Sequence, residues 1–358
     1  MSLSIGIVGL PNVGKSTLFN ALTDNEILAA NYPFATIEPN TGIVPVPDDR
    51  LPVLAKIFGS ERILPATVTF VDIAGLVAGA STGEGLGNKF LASIRNTQAI
   101  AHIVRAFEND DIVHVSNRVS PKDDIEVINT ELCLTDIQTI DSRLQRLQKD
   151  AKGNPKARED IEYLEDLKAK LDEGILLSTL PDLDMEVIYD LHLLTAKPVI
   201  YVFNVDEESL SDEARKQELR DLVAPSRAIF ISAKLEEELR GLDDADAAEL
   251  LQEYGVSENG LNQLIHTAFD TLGLQSYLTA GPKEVRAWTI HQGDTAPQAA
   301  GVIHTDFMRG FIAAQGVDFD DLVAAGSMAA AKSAGKVRTE GKEYVMRPGD
   351  VVEFRFNV

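Results

Sequence analysis

Short runs of apolar and β-branched residues recur along the chain, separated by segments in which apolar residues lie three or four positions apart. The short runs are typical of buried strands, whereas the wider spacing, as in residues 17–22 and 51–58, is typical of helices. The strand-like runs are residues 5–8, 66–72, 99–107, 198–204 and 228–232. Because strands alternate with helices, we predict an α/β fold with a doubly wound, mostly parallel sheet.

A long stretch of helical spacing separates the last two strand-like runs from the others. Apolar residues recur at this spacing over residues 137–147 and 157–171, and Gly-Asn-Pro at residues 153–155 interrupts the pattern. We predict an antiparallel hairpin of two coiled-coil-like helices, with its turn at Gly153, inserted between the two halves of the sheet. Six basic residues flank this turn, namely Arg143, Arg146, Lys149, Lys152, Lys156 and Arg158.

The last part of the chain has the pattern of a small α+β unit. Residues 284–290 alternate between apolar and polar positions, residues 294–303 have helical spacing, and residues 344–356 indicate two strands joined by a turn. We therefore predict three parts. They are a sheet domain formed by residues 1–122 and 190–276, a helical insertion at residues 123–189 and a terminal domain at residues 277–358.

Composition limits the classes of protein to which the chain can belong. With 358 residues, 44% of them hydrophobic and 25% charged, it has the composition of a soluble globular protein with more than one core. It shows no long apolar run and no signal peptide, so we expect a cytoplasmic location and no membrane association. The net charge of −23 disfavours non-specific binding of nucleic acid over the whole surface. A lone cysteine, Cys133, excludes a cysteine-ligated zinc site.

The segment after the first strand carries the pattern Gly-x-x-x-x-Gly-Lys-Ser at residues 9–16. Such a phosphate-binding loop, or P-loop, directs backbone N–H groups at an anion, and the positive end of the following helix points to the same place. Lys15 can bind the β- and γ-phosphates during catalysis, and the hydroxyl of Ser16 can bind Mg²⁺. We expect nucleotide contacts from Gly9, Leu10, Pro11, Asn12, Val13, Gly14, Lys15, Ser16 and Thr17.

Two further residues are candidate ligands of the magnesium ion. Asp72 ends a predicted strand and can hold Mg²⁺ through a water molecule. Thr36, in a proline-flanked loop, can complete the metal shell when a triphosphate is bound and release it after hydrolysis. Gly75 follows closely, where its N–H group can approach the γ-phosphate. At this order and spacing, these residues indicate a nucleotide-controlled switch.

The segments expected to contact the base depart from the GTPase pattern. GTPases carry Asn-Lys-x-Asp at a later strand end, where the aspartate accepts two hydrogen bonds from guanine. Residues 204–207 are Asn-Val-Asp-Glu, so the lysine is missing and the carboxylate of Glu207 is one methylene longer. A site that pairs with guanine does not tolerate displacement of the carboxylate that accepts its hydrogen bonds, so the longer side chain of Glu207 disfavours guanine. The expected base contacts are Asn204, Val205, Glu207, Ser232 and Ala233.

The residue that orients the attacking water in Ras-like proteins is also changed. The chain has Leu76 in place of the usual glutamine, so we expect slow turnover. Two residues could compensate. Asn12 occupies a P-loop position at which some related enzymes bind K⁺, whose charge can stabilise the transition state. His114 could polarise water near neutral pH, the alternative being a surface histidine without a catalytic role.

With these residues in place, the sequence resembles the YchF-type Obg-like ATPases, a branch of the Obg family of translation-factor-related P-loop proteins. The matching segments are residues 9–16, 32–36, 39–40, 72–87, 204–207 and 281–358, and the similarity covers essentially the whole chain. The resemblance implies a preference for ATP over GTP, dependence on Mg²⁺ and association with the ribosome. It also implies that the terminal domain is a TGS domain with a β-grasp fold.

We therefore expect a slow, Mg²⁺-dependent ATPase, with GTP as a weaker substrate, that acts as a nucleotide-controlled switch on the ribosome. One alternative is a GTPase that serves translation or ribosome assembly. Another is a ribosome-associated or stress-response binding module in which hydrolysis is incidental. The expected partner is RNA or a protein of the large ribosomal subunit, contacted by the basic hairpin tip and the TGS domain. We expect a monomer.

Overall fold

The computed structural model describes residues 3–23, 40–73, 86–109, 112, 114, 118–150 and 154–357. The strands are β1 (Ser4–Val8), β2 (Thr41–Pro45), β3 (Ile63–Leu64), β4 (Thr67–Asp72), β5 (Ala99–Arg105), β6 (Val199–Asn204), β7 (Arg227–Ile231), β8 (Leu274–Ala280), β9 (Val285–His291), β10 (Phe311–Asp318), β11 (Arg338–Glu340) and β12 (Asp350–Phe356). The helices are α1 (Lys15–Thr23), α2 (Arg50–Phe58), α3 (Leu86–Arg95), α4 (Pro121–Asp150), α5 (Pro155–Asp172), α6 (Met185–Ile188), α7 (Glu213–Asp221), α8 (Ala233–Leu239), α9 (Asp244–Glu253), α10 (Gly260–Thr271), α11 (Ala296–Ile303), α12 (Thr305–Arg309), α13 (Phe319–Ala325) and α14 (Met328–Ser333). None of the helices in this described part is both long and apolar enough to cross a membrane.

The chain divides into two compact units. The first contains Met1–Ile43 and Thr69–Leu264, and the second contains Val44–Val68 and Ile265–Val358. Each unit is built around one six-stranded sheet.

The sheet of the first unit has the strand order β2-β4-β1-β5-β6-β7. The strands from β4 to β7 in this order are parallel to one another. Every residue of β1, β5 and β6 is buried, which explains why these strands are continuous apolar runs rather than alternating ones. The predicted α/β fold with a mostly parallel sheet is confirmed.

The register of this sheet brings several strand ends to one edge. Ile7 lies opposite Asp72, Arg105 lies opposite Asn204, and Asn204 lies opposite Ile231. In open parallel sheets, ligands bind outside the carboxyl ends of the strands. The predicted phosphate and base segments both leave the sheet at this edge.

The helices α4 and α5 form the predicted hairpin. Its buried inner residues are Leu144, Leu147, Ala157, Leu164, Leu167 and Leu171. Across the hairpin, Lys168 Nζ lies 2.6 Å from Asp141 Oδ1. Near its base, the buried carboxylate of Asp136 accepts hydrogen bonds from the N–H groups of Leu194 (2.9 Å) and Thr195 (2.7 Å). These bonds hold α4 against the segment that leads into β6, so the hairpin is an insertion in the first unit.

The sheet of the second unit has the strand order β11-β10-β12-β8-β9-β3 and is mixed. β12 is parallel to β8, whereas β8 and β9, and likewise β10 and β12, are antiparallel. α11 packs on this sheet, and the Tyr277 hydroxyl donates a hydrogen bond to the Ala299 carbonyl at 2.9 Å. A helix packed on a mixed sheet is the α+β arrangement predicted for the terminal part, as in a β-grasp fold.

Residues 44–68 belong to the second unit, whereas the sequence pattern predicts them as part of the domain that includes residues 1–122. The two-residue strand β3 lies in this segment and pairs with β9, with Ile63 opposite Val285. The N–H group of Glu61 also donates to the Pro282 carbonyl at 3.0 Å. Pairing between strands that are far apart in sequence leaves no local sequence pattern. A domain boundary predicted at residue 277 therefore could not assign β3 to the terminal domain. The numbered limits of the three predicted domains stay a prediction.

Candidate nucleotide-binding site

The P-loop connects β1 to α1 at the carboxyl edge of the first sheet. Its backbone is left-handed at Asn12 (φ 62°) and Gly14 (φ 92°). A Cβ atom at Gly14 would lie 2.4 Å from Nδ2 of Asn204, so only glycine fits at this position. The side chains of Ser16 and Thr17 are exposed in the first turn of α1, where they can reach a phosphate or a metal ion.

Lys15 and Asp72 meet beside the P-loop. The Lys15 ammonium forms an ion pair with the Asp72 carboxylate at the end of β4. A Mg²⁺ ion that enters with a nucleotide needs only one or two protein ligands, because phosphates and waters supply the others. A hydroxyl from Ser16 and a carboxylate from Asp72 match that donor set. The described residues hold no cluster of three or more His, Cys, Asp and Glu side chains that would form a metal site without a nucleotide.

Asn204 joins the phosphate and base segments. Its side chain is buried, and its Nδ2 donates a hydrogen bond to the carbonyl of Val13 in the P-loop at 3.0 Å. Its Oδ1 accepts a hydrogen bond from the N–H group of Ala233 at 3.0 Å. One buried amide therefore fixes the P-loop against the ends of both β6 and β7.

A cavity of about 590 Å³ opens beside this junction. Its lining includes P-loop residues Asn12 and Gly14, together with Thr17, and all five predicted base contacts: Asn204, Val205, Glu207, Ser232 and Ala233. The volume lies within the range of ordinary ligand pockets, about 300–1,000 Å³. The structure thus brings three of the predicted phosphate-binding residues and all five predicted base contacts to one pocket of suitable size, whereas Gly9, Leu10, Pro11, Val13, Lys15 and Ser16 are not among its lining residues.

One wall of this cavity is formed by residues that the sequence pattern does not predict as contacts. Phe107, Asn109 and Ile112, which follow β5, line it, and Arg105 holds them in place. The Arg105 guanidinium is only 1% exposed and donates to the carbonyls of Phe107 (3.2 Å), Asn109 (3.0 Å) and Ile112 (3.0 Å). It also lies 4.5 Å from the centre of the Phe107 ring. In the sequence, the only sign of this role is that Arg105 is a charged residue at the end of an apolar run. Its carbonyl partners could not be predicted, because they depend on the path of the backbone after β5.

The carboxylate that replaces the guanine-binding aspartate has a basic partner. Lys234 Nζ lies 2.8 Å from Glu207 Oε1, and both residues line the cavity. The contact with Glu207 raises the pKa of Lys234, so the lysine is charged. The side chain of Lys234 is 71% exposed and that of Glu207 only 16%.

His114 is not the surface residue that the alternative interpretation described. It is 5% exposed, and its Nε2 lies 2.9 Å from Oδ2 of Asp124 in the first turn of α4. Burial raises the pKa of Asp124, and the contact with His114 opposes this rise. His114 is not among the described residues that line the cavity.

Several predicted residues lie outside the described residues. They are Thr36, Gly75, Leu76, Lys152 and Gly153, at which the hairpin turn was predicted. Of the other basic residues near the hairpin turn, Arg143 is half-buried, whereas Arg146, Lys149, Lys156 and Arg158 are exposed.

Similar proteins identify the family. Over 363 residues, with both chains fully covered, the chain is 52% identical to the ribosome-binding ATPase YchF of Haemophilus influenzae. The chain belongs to the YchF family. The YchF of Bacillus subtilis is 50% identical over 366 residues, again with both chains fully covered. The resemblance noted in the sequence is thereby confirmed.

Family models and a solved structure agree with the YchF assignment. The model YchF-GTPase_C, described as a protein of unknown function, matches residues 274–357, and the model MMR_HSR1, a 50S ribosome-binding GTPase, matches residues 4–152. The structure of the Schizosaccharomyces pombe YchF GTPase is 38% identical and has a TM-score of 0.87, covering 99% of this chain and 98% of that one. YchF relatives are named both ATPases and GTPases, so membership of the family does not by itself determine which base this chain prefers.

Proposed function

We propose that the chain is a slow, Mg²⁺-dependent ATPase whose nucleotide state acts as a switch on the ribosome. The observation that carries the proposal is the junction at Asn204, which joins the P-loop to a cavity whose fourth base-reading position is Glu207. The ATPase names of the bacterial relatives support ATP as the preferred nucleotide and GTP as a weaker one.

Residues at the phosphate end have distinct roles in this proposal. Lys15 binds the β- and γ-phosphates, and Ser16 and Thr36 bind Mg²⁺ directly, with Asp72 acting through water. When bound, the metal neutralises charge on the phosphates during cleavage. Because Leu76 cannot orient the attacking water, turnover by the chain alone is slow. We propose that His114 polarises the attacking water in place of the missing glutamine, for which it must leave Asp124. A K⁺ ion at Asn12 is a second proposed contribution, since its charge would stabilise the transition state.

Release of phosphate from ATP by the purified full-length chain tests this function. We expect hydrolysis of ATP to exceed that of GTP and to stop when EDTA removes Mg²⁺. Equal or faster hydrolysis of GTP would instead favour a GTPase factor, the function named in the description of the 50S ribosome-binding family model and of the yeast structure. Comparison of K⁺ with Na⁺ buffers tests Asn12, since equal rates exclude assistance by potassium.

The proposed partner is the large ribosomal subunit, in the cytoplasm, with the chain acting as a monomer. The relatives' names support binding to the ribosome. The exposed basic residues Arg146, Lys149, Lys156 and Arg158 could contact RNA, and the terminal TGS domain could make a second contact. Co-sedimentation with ribosomes over a series of salt concentrations should show a shallower salt dependence after Arg146→Ala and Lys149→Ala. An unchanged slope would place the contact elsewhere.

A third possibility is a binding module in which hydrolysis is incidental. The exposed cations on α4 and α5 favour it, because they could bind a partner without any change in nucleotide. A Lys15→Ala chain that still binds ribosomes and still performs the cellular role would support a binding module rather than a nucleotide-controlled switch.

A further inference from the structure

An acceptor and a donor are paired at the base end of the cavity. Glu207 follows the end of β6 and Lys234 lies in the first turn of α8, and their charged atoms are 2.8 Å apart. Their segments are held side by side, since Asn204 Oδ1 accepts the Ala233 N–H at 3.0 Å and the Val205 N–H donates to the Ile231 carbonyl at 2.9 Å. The pairing therefore follows from backbone positions that are fixed by the sheet.

The two purines make opposite demands on such a pair. Guanine presents two adjacent donors, N1–H and the exocyclic amino group, so a carboxylate that reads guanine must use both oxygens. Glu207 Oε1 already contacts an ammonium group, which leaves one oxygen. Adenine presents a single amino donor at this edge, and one free carboxylate oxygen is enough to accept its hydrogen bond.

We propose that Lys234 is a specificity-determining residue that makes the site select adenine by holding the Glu207 carboxylate in an ion pair. This inference rests on the proposed function, binding of ATP at the same site. The extra methylene that distinguishes Glu207 from an aspartate extends its carboxylate towards Lys234. Because Lys234 is mostly exposed, its ion pair with Glu207 adds little to folding stability. We therefore expect loss of the pair to change the relative affinity for the two bases rather than the stability of the fold.

The ratio of the dissociation constants of GTP and ATP tests this role. It is measured by displacement of a fluorescent ATP analogue from the full-length chain in the presence of Mg²⁺. We expect the wild-type ratio to exceed about ten, and the ratio of Lys234→Ala to be about fivefold lower, mainly through tighter binding of GTP. Lys234→Arg keeps the charge and should keep the wild-type ratio.

A matched control removes the second acidic neighbour of the same lysine. Glu238 Oε1 lies 3.9 Å from Lys234 Nζ on the outer face of α8 and does not line the cavity. Glu238→Gln should leave the ratio unchanged. Circular dichroism of each variant checks that the fold is kept.

A second genetic background separates the proposed role from direct contact of the lysine with the base. In Glu207→Gln there is no carboxylate to release, so the added change Lys234→Ala should not alter the ratio. An equal effect of Lys234→Ala in both backgrounds overturns the inference, as does an unchanged ratio in the wild-type background. If the wild-type chain binds GTP as tightly as ATP, the proposed function fails. If it prefers ATP and Lys234→Ala keeps that preference, only this inference fails.

Discussion

The phosphate end of the candidate site is one continuous segment, residues 9–16, with Asp72 from a neighbouring strand. The base end combines three segments that follow β5, β6 and β7 and are far apart in sequence. In the proposed function, phosphate binding thus depends on one short motif, through its backbone N–H groups and Lys15. The choice of base depends on how separate segments meet, which is where proteins with the same P-loop can differ. Probes that bind one end or both ends can separate the two contributions.

Removal of Lys15 should have the largest effect and should act on the phosphate end. In Lys15→Ala the γ-phosphate loses its positive partner, so we expect ATP turnover to fall at least about 100-fold. Steady-state phosphate release measures it. Turnover within a few-fold of wild type would show that the P-loop lysine has no catalytic role.

Removal of the Asn204 amide should damage both ends together. Asn204→Ala leaves the Val13 carbonyl and the Ala233 N–H without this partner, at a cost of about 1–3 kcal/mol of stability. We expect weaker binding of both ATP and inorganic tripolyphosphate, measured by displacement of a fluorescent nucleotide.

The matched control for this variant is Asn129→Ala. Asn129 Nδ2 donates to the Tyr201 hydroxyl at 3.2 Å, and Asn129 is not among the residues that line the cavity. It should lower the melting temperature without changing either affinity. Retained tripolyphosphate binding in Asn204→Ala would contradict a role for this amide at the phosphate end.

Removal of the imidazole of His114 should affect turnover rather than binding. We expect His114→Ala to lower the ATP hydrolysis rate at least about tenfold, with nucleotide affinity unchanged, because a water-polarising group is lost. Since His114 is buried against Asp124, the variant Asp124→Asn serves as the control for a structural role. Equal losses of thermal stability in both variants, with unchanged turnover, would exclude the catalytic role.

A change at Arg105 should affect the base end alone. Lysine keeps the positive charge but cannot reproduce the planar set of donors that holds three carbonyls. We expect Arg105→Lys to weaken ATP binding by about fivefold and to leave tripolyphosphate binding unchanged. Equal losses of affinity for ATP and tripolyphosphate would mean that Arg105 supports the whole site rather than only the cavity wall formed by Phe107, Asn109 and Ile112.

The last expected effect acts on folding rather than on ligand binding or turnover, and it is a pH dependence of stability close to the base end. Burial raises the pKa of Glu236 to about 7 from 4.5, and its Oε1 accepts the Gly260 N–H at 2.7 Å. Because the pKa is higher in the folded state, that state binds more protons than the unfolded one. The resulting stabilisation is complete below the unfolded pKa and is lost as the pH rises through about 7.

Urea unfolding at several pH values measures this contribution. We expect the free energy of unfolding of the wild-type chain to decline between about pH 5 and pH 7, and the decline to be smaller in Glu236→Gln. The exposed neighbour Glu237 provides the control, since Glu237→Gln should keep the wild-type profile. Identical profiles for all three chains would show that Glu236 does not titrate in this range.

The same contrast explains how much could be predicted from the sequence. Gly14 and Lys15 were predictable because the P-loop motif is continuous, and the hairpin followed from its helical spacing. The meeting of the five expected base contacts in one cavity was predictable, because each lies at or shortly after a strand end and parallel strands end at one edge. The cavity wall that Arg105 holds in place and the ion pair between Glu207 and Lys234 were not predictable, since both depend on the path of the backbone beyond those strands. The pairing of β3 with β9 was missed for a related reason, because a two-residue strand has no detectable period.

In the proposed function, one nucleotide must engage both ends of the site at once. A crystal structure of the chain with Mg²⁺ and a non-hydrolysable ATP analogue tests this most directly. We predict the triphosphate on residues 9–16, with Lys15 moved from Asp72 to the phosphates, and adenine in the cavity beside Val205, Glu207 and Lys234. Triphosphate on the P-loop with adenine outside this cavity would contradict the central claim.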